Sequence, residues 1–387
     1  VEQYYYNENK FQKDSKAVHV AIANSATKKH SIDREVELLK RDRENKFLVP
    51  QSSPNDKPLL TIAIPAYNCD NFIRNCVFSL INHPLNGLLE ILIINDGSTD
   101  RTLEEARVLE KLSPAVRVIN KKNGGHGSAI NAGIKHAKGK YFKLIDGDDY
   151  FNTGAFKIFL EKLKSENSDI ILTNFVEDLA NEAKLKPSKF YDNLPVYQKM
   201  SILDMTYSGY GFKEWGPLLS TTTCKTELLR KADFLIDEKC FYVDMEYNFM
   251  IYKMAETIIF YPLDLYVYYI GRSGQSTSPE KVKKNVLQHE KVSMRLLDEY
   301  ERIKDQIPEN KRIYLKDKLV SEICKIQYDI VIDFIKGRKD FCRFDNKLKK
   351  YPEFYSSWNV ADKRTRALRI THGSLRRLAS LLATLMR

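Results

Sequence analysis

The sequence lacks long apolar runs and closely paired cysteines. No apolar run approaches the roughly 18 to 20 residues that span a bilayer, and no signal-peptide pattern opens the chain. The six cysteines are scattered without a Cys-x-x-Cys pair. This spacing argues against a structural zinc site and against a disulfide framework. We therefore predict reduced thiols and a cytoplasmic location.

The sequence also lacks the two common glycine-rich phosphate loops. Its segment Gly124-Gly125-His126-Gly127 fits neither G-x-G-x-x-G nor G-x-x-x-x-G-K-[ST], which disfavours dinucleotide-dependent hydride transfer and P-loop ATPase chemistry. Glycines still let a backbone approach a ligand closely, so Gly125 is a candidate binding residue. We predict that His126 makes structural hydrogen bonds and does not bind a metal.

The C-terminal third carries an excess of basic residues. From residue 281 onward, 26 lysines and arginines face 14 aspartates and glutamates, a net charge of +12, whereas the remainder carries −1 of the total +11. Attraction to a polyanion or a membrane surface is therefore expected in this third. No nucleic-acid-binding motif accompanies the charge, so we predict no nucleic-acid partner.

Four short apolar segments alternate with helical patterns in the first half. Strands are expected at 59–64, 90–94, 115–119 and in the run that ends at Asp146, with helices near 71–81 and 129–137. This alternation predicts βαβ units and a mainly parallel sheet with helices on both faces. Ligands bind at the carboxyl ends of such strands, so the polar clusters that follow the four strands should share one crevice.

Three carboxylates, Asp146, Asp148 and Asp149, follow the fourth strand. Such crowding is costly unless a positive charge is near, and Mg²⁺ typically binds one or two carboxylates together with a substrate's phosphates. An ordinary acidic turn is the alternative. Asp96 is suited to a base or ribose, or to a helix cap, and Tyr67 either stacks on a base or packs in the core.

In this order, the motifs resemble those of the family 2 nucleotide-sugar glycosyltransferases of the GT-A fold, which are inverting enzymes. The matching motifs are Ile64-Pro65-Ala66-Tyr67-Asn68, Asn95-Asp96-Gly97-Ser98-Thr99-Asp100, Asn123-Gly124-Gly125 with Asn131-Ala132-Gly133, and Asp146-Gly147-Asp148-Asp149. The resemblance implies an α/β, Rossmann-like GT-A sheet, mainly parallel, with helices on both faces. The composition after about residue 279 adds the expectation of a mostly α-helical C-terminal region. The resemblance covers about 59–175.

The resemblance implies a nucleotide-sugar donor, usually UDP-linked, in the crevice. It places Tyr67 and Asp96 at the nucleobase, Asp146 near the ribose and phosphate, and Asp148 on a Mg²⁺ or Mn²⁺ that neutralises the departing diphosphate. The full set of expected donor-binding residues is Pro65, Tyr67, Asn68, Asp96, Gly125, Asp146 and Arg272. Ile130 stands where the family often has arginine.

Transfer to a hydroxyl with inversion also needs a base. The segment 240–247 resembles the family's Glu-Asp base motif, with Asp244 in the Asp position and Glu246 as the second candidate. The alternative is that both acids cap the following helix. Trp215 is a candidate acceptor platform or part of a packed loop. Arg272, in a glycine-rich loop, either pairs with the diphosphate or is a solvated surface residue.

Composition divides the chain into three parts. We predict an N-terminal helical extension over 1–57, a catalytic domain over 58–278 with a nucleotide half at about 58–150 and an acceptor half at about 151–278, and a basic helical region over 279–387. Long helices are expected at 285–307 and 313–334. The last leucines form a basic amphipathic helix that either lies on an anionic membrane face or packs on the domain or a second subunit. They are Leu375, Leu378, Leu382 and Leu385.

Together these features predict a metal-dependent, inverting hexosyl- or N-acetylhexosaminyltransferase. It would move a sugar from a UDP-sugar to a hydroxyl of a saccharide or lipid-linked glycan, in the synthesis of surface polysaccharide or glycoconjugate. Peripheral contact with the inner membrane face and homo-oligomerisation stay open. Two alternatives also stay open: a polyprenyl phosphate acceptor, whose oxygen needs no base, and a non-catalytic polyanion- or membrane-binding protein on a degenerate transferase scaffold.

Overall fold

The computed structural model describes residues 57–81, 87–179, 185–187, 194–202, 204, 219–270, 279–335 and 338–373. The predicted N-terminal extension up to residue 56, the C-terminal leucines, Trp215 and Arg272 lie outside the described residues.

Ten strands within the described ranges form one mixed sheet, in the order β3-β2-β1-β4-β9-β6-β10-β5, with β7 on β6 and β8 on β10. The strands are β1 Leu60–Ala66, β2 Leu89–Asp96, β3 Val116–Lys121, β4 Tyr141–Leu144, β5 Tyr150–Phe151, β6 Ile170–Leu179, β7 Leu185–Pro187, β8 Met200–Ser201, β9 Thr222–Lys225 and β10 Thr257–Ile270. The sheet is continuous across the predicted division at 150, so both expected halves of the catalytic domain share it.

The first four strands are parallel, as their apolar sequences predicted. Every residue of β1 and β2 is buried, which fits strands covered on both faces. The second half of the sheet is mixed, because β9 runs antiparallel to both of its neighbours, β4 and β6. The parallel half places the carboxyl ends of its strands along one edge, where the predicted polar clusters lie.

Helices cover both faces of the sheet. They are α1 Ile73–Ile81, α2 Thr102–Leu112, α3 His126–His136, α4 Thr153–Leu163, α5 Thr226–Lys231, α6 Val243–Met254, α7 Pro279–Ile303, α8 Glu309–Tyr314, α9 Ser321–Asp329, α10 Arg338–Leu348, α11 Pro352–Tyr355 and α12 Lys363–Ile370. On one face, α1, α2 and α4 pack against alternate residues of β1 such as Ile62. On the other, α3 and α6 pack against Ala63 and its neighbours. Alternating strand side chains thus supply two hydrophobic cores.

The C-terminal helices extend the second core. Tyr252 of α6 stacks on Tyr314 of α8, with ring centroids 5.4 Å apart. The helix predicted at 313–334 is present but is interrupted by two π-helical stretches, Leu315–Val320 and Ile330–Ile335. No helix among the described residues is both long and apolar enough to cross a membrane. The predicted cytoplasmic location stays a prediction.

Arginines of the basic C-terminal run bind within the chain. Arg364 forms ion pairs with Asp329 and Asp333, at 2.7 and 2.8 Å. Arg369 donates from Nε to Asp345 at 2.7 Å. These two arginines therefore pair with acids of the same helical region, and the membrane contact expected of the basic third stays a prediction.

Candidate active site

The loops after β1 and β2 are tied to each other at the crevice. The amide of Asn68, which has a left-handed φ of 49°, donates to Ser98 Oγ at 3.1 Å. In return, Asn68 Oδ1 accepts from the Thr99 amide at 2.8 Å. Pro65 is buried in β1, whereas Tyr67 is 53% exposed just beyond the strand. Asn68 and Pro65 therefore shape the loops, and Tyr67 presents an open aromatic face.

The Asp96 carboxylate holds the glycine loop that follows β3. Its Oδ1 accepts from Lys121 Nζ at 2.6 Å and from the Gly124 amide at 3.0 Å, and its Oδ2 accepts from the Gly125 amide at 2.7 Å. Asp96 is only 3% exposed. Gly125 has a φ of +83°, which favours glycine. Asp96 thus positions Gly125, and any contact with a nucleobase must share the same carboxylate.

The three acids after β4 lie close enough to surround one cation. Oxygens of Asp146, Asp148 and Asp149 are within 4.8 Å of one another. Asp149 is buried and accepts hydrogen bonds from Tyr266 Oη and, at 2.9 Å, from the Tyr269 amide. Burial and the charge of Asp146 raise the pKa of Asp149 to about 8. A divalent cation would favour its ionised form, so this donor set fits Mg²⁺ or Mn²⁺.

His126 begins α3 and lies in the crevice. Its Nε2 is 3.9 Å from Asp146 Oδ1, and its side chain is 38% exposed. It also acts electrostatically on Asp244, whose pKa it lowers in opposition to burial. The sequence predicted a structural role for His126, but the fold places it beside both the acid cluster and the predicted base.

Asp244 lies in the first turn of α6 and is exposed. Desolvation by the surrounding protein raises the pKa of Asp244. The amides of Asp244 and Met245 and the nearby His126 oppose this rise only in part. The charge of Asp146 also acts on Asp244. The carboxylates of Asp146 and Asp244 are therefore close enough to interact, and the role of Asp244 as a base stays a prediction.

Glu246, the second base candidate, lies in a different environment. It is fully buried, and it accepts from Arg295 Nη1 at 2.8 Å and from the Asp237 amide at 2.7 Å. A base must reach the acceptor hydroxyl, so this enclosed carboxylate is poorly placed for that role. Ile130, which stands where the family often has arginine, is also fully buried.

Comparison with known proteins identifies the domain that carries this crevice. Residues 61–234 match the family model described as "Glycosyl transferase family 2". This segment belongs to glycosyl transferase family 2. The match contains Asp96, Gly125 and the acid cluster, but it ends before Asp244 and Arg272. The roles of those later residues therefore depend on the crevice itself.

Relatives of this chain include an uncharacterized glycosyltransferase and a hyaluronan synthase. The chain is 30% identical over 225 residues to the uncharacterized glycosyltransferase EpsJ of Bacillus subtilis, covering 58% of this chain and 64% of EpsJ. It is 42% identical over 120 residues to the hyaluronan synthase of Pasteurella multocida, covering 31% of this chain and 12% of the synthase. The chain thus spans less than two thirds of these relatives.

The fold is that of GT-A glycosyltransferases. The structure of Staphylococcus aureus TarS 1-349 in complex with UDP-GlcNAc superposes with a TM-score of 0.58 at 17% identity, covering 81% of this chain and 86% of TarS 1-349. The predicted GT-A architecture is therefore confirmed. Since 81% of the chain exceeds the family 2 segment, the likeness includes part of the helical C-terminal region.

Sequence reasoning assigned a metal role to Asp148 alone, and the fold adds Asp146 and Asp149 to the same cluster. It also did not foresee Lys121 as a partner of Asp96 or Arg295 as a partner of Glu246. The D-G-D-D motif contained the signal for Asp149. Nothing in the sequence spacing pointed to Lys121 or Arg295.

Proposed function

We propose that this chain transfers a sugar from a UDP-sugar to a hydroxyl of a saccharide or lipid-linked glycan, with inversion at the anomeric carbon. The observation that carries the proposal is the meeting of three groups in one crevice. The clustered acids after β4, the half-exposed His126 and the exposed Asp244 lie together at the carboxyl ends of the parallel strands. Donor and acceptor chemistry would thus face each other there.

The donor would lie along the ends of β1, β2 and β4. Tyr67 would stack on the nucleobase, and the Asp96-held glycine loop would approach the ribose. Asp146, with a side chain 40% exposed, would face the ribose and phosphate. Bound UDP-GlcNAc in the TarS structure supports a UDP-linked donor. Arg272 stays a candidate for the diphosphate.

Asp148, together with Asp146 and Asp149, would hold Mg²⁺ or Mn²⁺. When bound, such an ion neutralises charge that develops on the leaving diphosphate. Asp149 would hold its place through Tyr266 and the Tyr269 amide. These bonds hold both carboxylate oxygens of Asp149, while Asp146 and Asp148, both half-buried, would meet the ligand.

Asp244 would take the proton of the acceptor hydroxyl as that oxygen attacks the anomeric carbon and the bond to UDP breaks. Its exposure gives an acceptor access, and the nearby His126 favours its ionised form against the desolvation that raises its pKa. The relative named hyaluronan synthase supports a saccharide acceptor and a part in polysaccharide synthesis.

Titration with UDP, with and without Mn²⁺, tests the donor site. We expect binding that Mn²⁺ tightens, and a loss of that tightening in Asp148→Asn. Absence of nucleotide binding, or binding indifferent to the metal, would overturn the proposal in favour of a non-catalytic role.

Turnover with UDP-sugars tests the base. Asp244→Asn should lower transfer by roughly 10²- to 10⁴-fold, the usual contribution of a general base. Glu299→Gln is the control, because Glu299 is a carboxylate that pairs with Lys253 at the far end of α6 from Asp244. Retained turnover in Asp244→Asn would instead indicate a phosphate acceptor, such as a polyprenyl phosphate.

A further inference from the structure

The segment 235–242, here called the bridging segment, lies directly before the helix that carries Asp244. On one side it contacts the glycine loop and α3. The Lys239 amide donates to the Gly124 carbonyl at 2.6 Å, and Ser128 Oγ donates to Glu238 at 2.8 Å. A Cβ on Gly127 would clash with the Asp237 carbonyl oxygen. The segment therefore lies in close contact with the predicted donor side.

On its other side the bridging segment contacts α7. The Phe241 amide donates to Gln288 Oε1 at 2.8 Å. The ring of Tyr242 meets that of His289 edge-on, with centroids 4.7 Å apart. Lys291 pairs with Asp237 at 2.6 Å. The helix α7 belongs to the C-terminal region, beyond the family 2 segment.

Arg295 of α7 binds both the bridging segment and α6. Its Nη1 is 2.6 Å from Asp237 Oδ1 and 2.8 Å from Glu246 Oε1, and its Nη2 donates to the Leu235 carbonyl. The guanidinium also lies over the ring of Phe234, 4.4 Å from the centroid. One side chain thus links the start of the bridging segment to the first turns of α6.

This link matters because Glu246 has no exposure to solvent. Without Arg295, its buried charge would lose its partner, and such a loss is strongly destabilising. Relief comes from protonation of Glu246, which weakens its hold on the Asp237 amide, or from movement of the first turn of α6 or of the bridging segment. Either movement displaces Asp244, which is two residues from Glu246.

We propose that Arg295 is a positioning residue for the transfer step. It fixes the bridging segment between the glycine loop and α6, and so sets the place of Asp244 relative to the donor. This inference rests on the proposed function. It assigns to the helical C-terminal region a part in the geometry of catalysis, although Arg295 itself touches no substrate.

A second ion pair joins the same two helices and provides a matched control. Lys253 of α6 and Glu299 of α7 are 2.9 Å apart, and both side chains are 11% exposed. This pair lies at the far end of α6 from Asp244. Glu299→Gln therefore removes an ion pair between α6 and α7 without touching the bridging segment.

Full-length Arg295→Met, Arg295→Lys and Glu299→Gln are compared with the wild type in two measurements. The first is hydrogen exchange of the bridging segment, where the amides of Asp237, Lys239 and Phe241 make the bonds described above. The second is the kinetics of sugar transfer. Asp237→Asn serves in place of Arg295→Met if that variant does not fold, because it loosens the same link and keeps the Arg295–Glu246 pair.

We expect the amides of the bridging segment to exchange at least about tenfold faster in Arg295→Met than in Glu299→Gln. The kcat should fall by roughly 100-fold, the effect of about 1 Å of misplacement, with the donor KM changed by less than about threefold. Arg295→Lys should recover part of the kcat. The kcat of Glu299→Gln should stay close to that of the wild type.

Two results would overturn the positioning role, and they can be told apart. If the wild type transfers sugar but Arg295→Met matches Glu299→Gln in exchange and kcat, the positioning role is wrong and the proposed function stands. If the wild type transfers no sugar and binds no UDP, the proposed function fails and the positioning role fails with it.

Discussion

Lys143 provides a sharp test of the electrostatics beneath the site. It lies on β4, three residues before Asp146, and is fully buried. Its Nζ donates to the Ser220 carbonyl at 2.7 Å and to the Thr222 carbonyl at 3.5 Å. Burial lowers the pKa of Lys143 to about 7. The folded chain therefore releases a proton here that the unfolded chain keeps until about pH 10.5.

The direction of the effect follows from proton binding. Below pH 7 both states are protonated, and the cost of burying the charge is fully present. Between pH 7 and about 10.5 the unfolded state binds more protons, so Lys143 makes the free energy of unfolding rise with pH. The slope has half its full value at pH 7, where Lys143 is half protonated in the folded state, and approaches about 1.4 kcal/mol per pH unit above that pH. The rise from pH 7 to pH 9 is therefore roughly 2 kcal/mol.

The perturbation is Lys143→Met, which keeps the length of the side chain and removes the charge. Urea unfolding at pH 7, 8 and 9 measures the difference in stability between the wild type and the variant. We expect that difference to shift by roughly 2 kcal/mol in favour of the wild type between pH 7 and pH 9. Other titrating groups are common to both proteins and cancel in the difference.

Lys140→Met is the control for this experiment. Lys140 is exposed at the start of the same strand region, and its Nζ donates to the Glu166 carbonyl at 2.7 Å. Its difference from the wild type should not change with pH. A difference for Lys143→Met that is equally flat from pH 7 to 9 would refute the reasoning.

Three further predictions concern other parts of the molecule. Gly127→Ala should push the Asp237 carbonyl away and lower kcat by tenfold or more, measured as sugar transfer, with faster exchange in the bridging segment. Glu90→Gln, which weakens the 2.8 Å pair with Arg117 at the opposite end of the strands, should cost about 2 kcal/mol in urea unfolding and leave UDP affinity unchanged. Tyr67→Ala should raise the donor KM about tenfold, the worth of one stacked base, with unfolding unchanged; an unaltered KM would contradict the stacking role.

The parallel half of the sheet could be predicted because its strands are apolar throughout. Expected strands at 59–64, 90–94 and 115–119 agree within two residues with β1, β2 and β3. The strand β9 was not predictable in its place. It is short and polar in sequence, and its position depends on pairing with residues 141–143, about 80 residues earlier. Local patterns carry no information on such a distant partner.

The residues of the candidate site show the same difference between what the local sequence predicts and what depends on distant contacts. Asp96, Asp148 and Asp244 could be selected from the sequence because each belongs to a recognisable motif at the end of a strand or the start of a helix. Their roles stay predictions that the tests above address. The burial of Glu246 and its pairing with Arg295 arise only when α7 packs on α6. In sequence, Arg295 is one charge among many on an amphipathic helix.

The insertion of β9 beside β4 has a consequence for synthesis of the chain. Until residue 225 has left the ribosome, β4 and β6 lack the strand that lies between them, because Cys224 of β9 pairs with both Phe142 and Ile170. Such an exposed edge invites pairing with other chains. The edge of β4, the strand before the acid cluster, therefore stays unpaired until β9 is made. A pause in translation before residue 225 would favour aggregation.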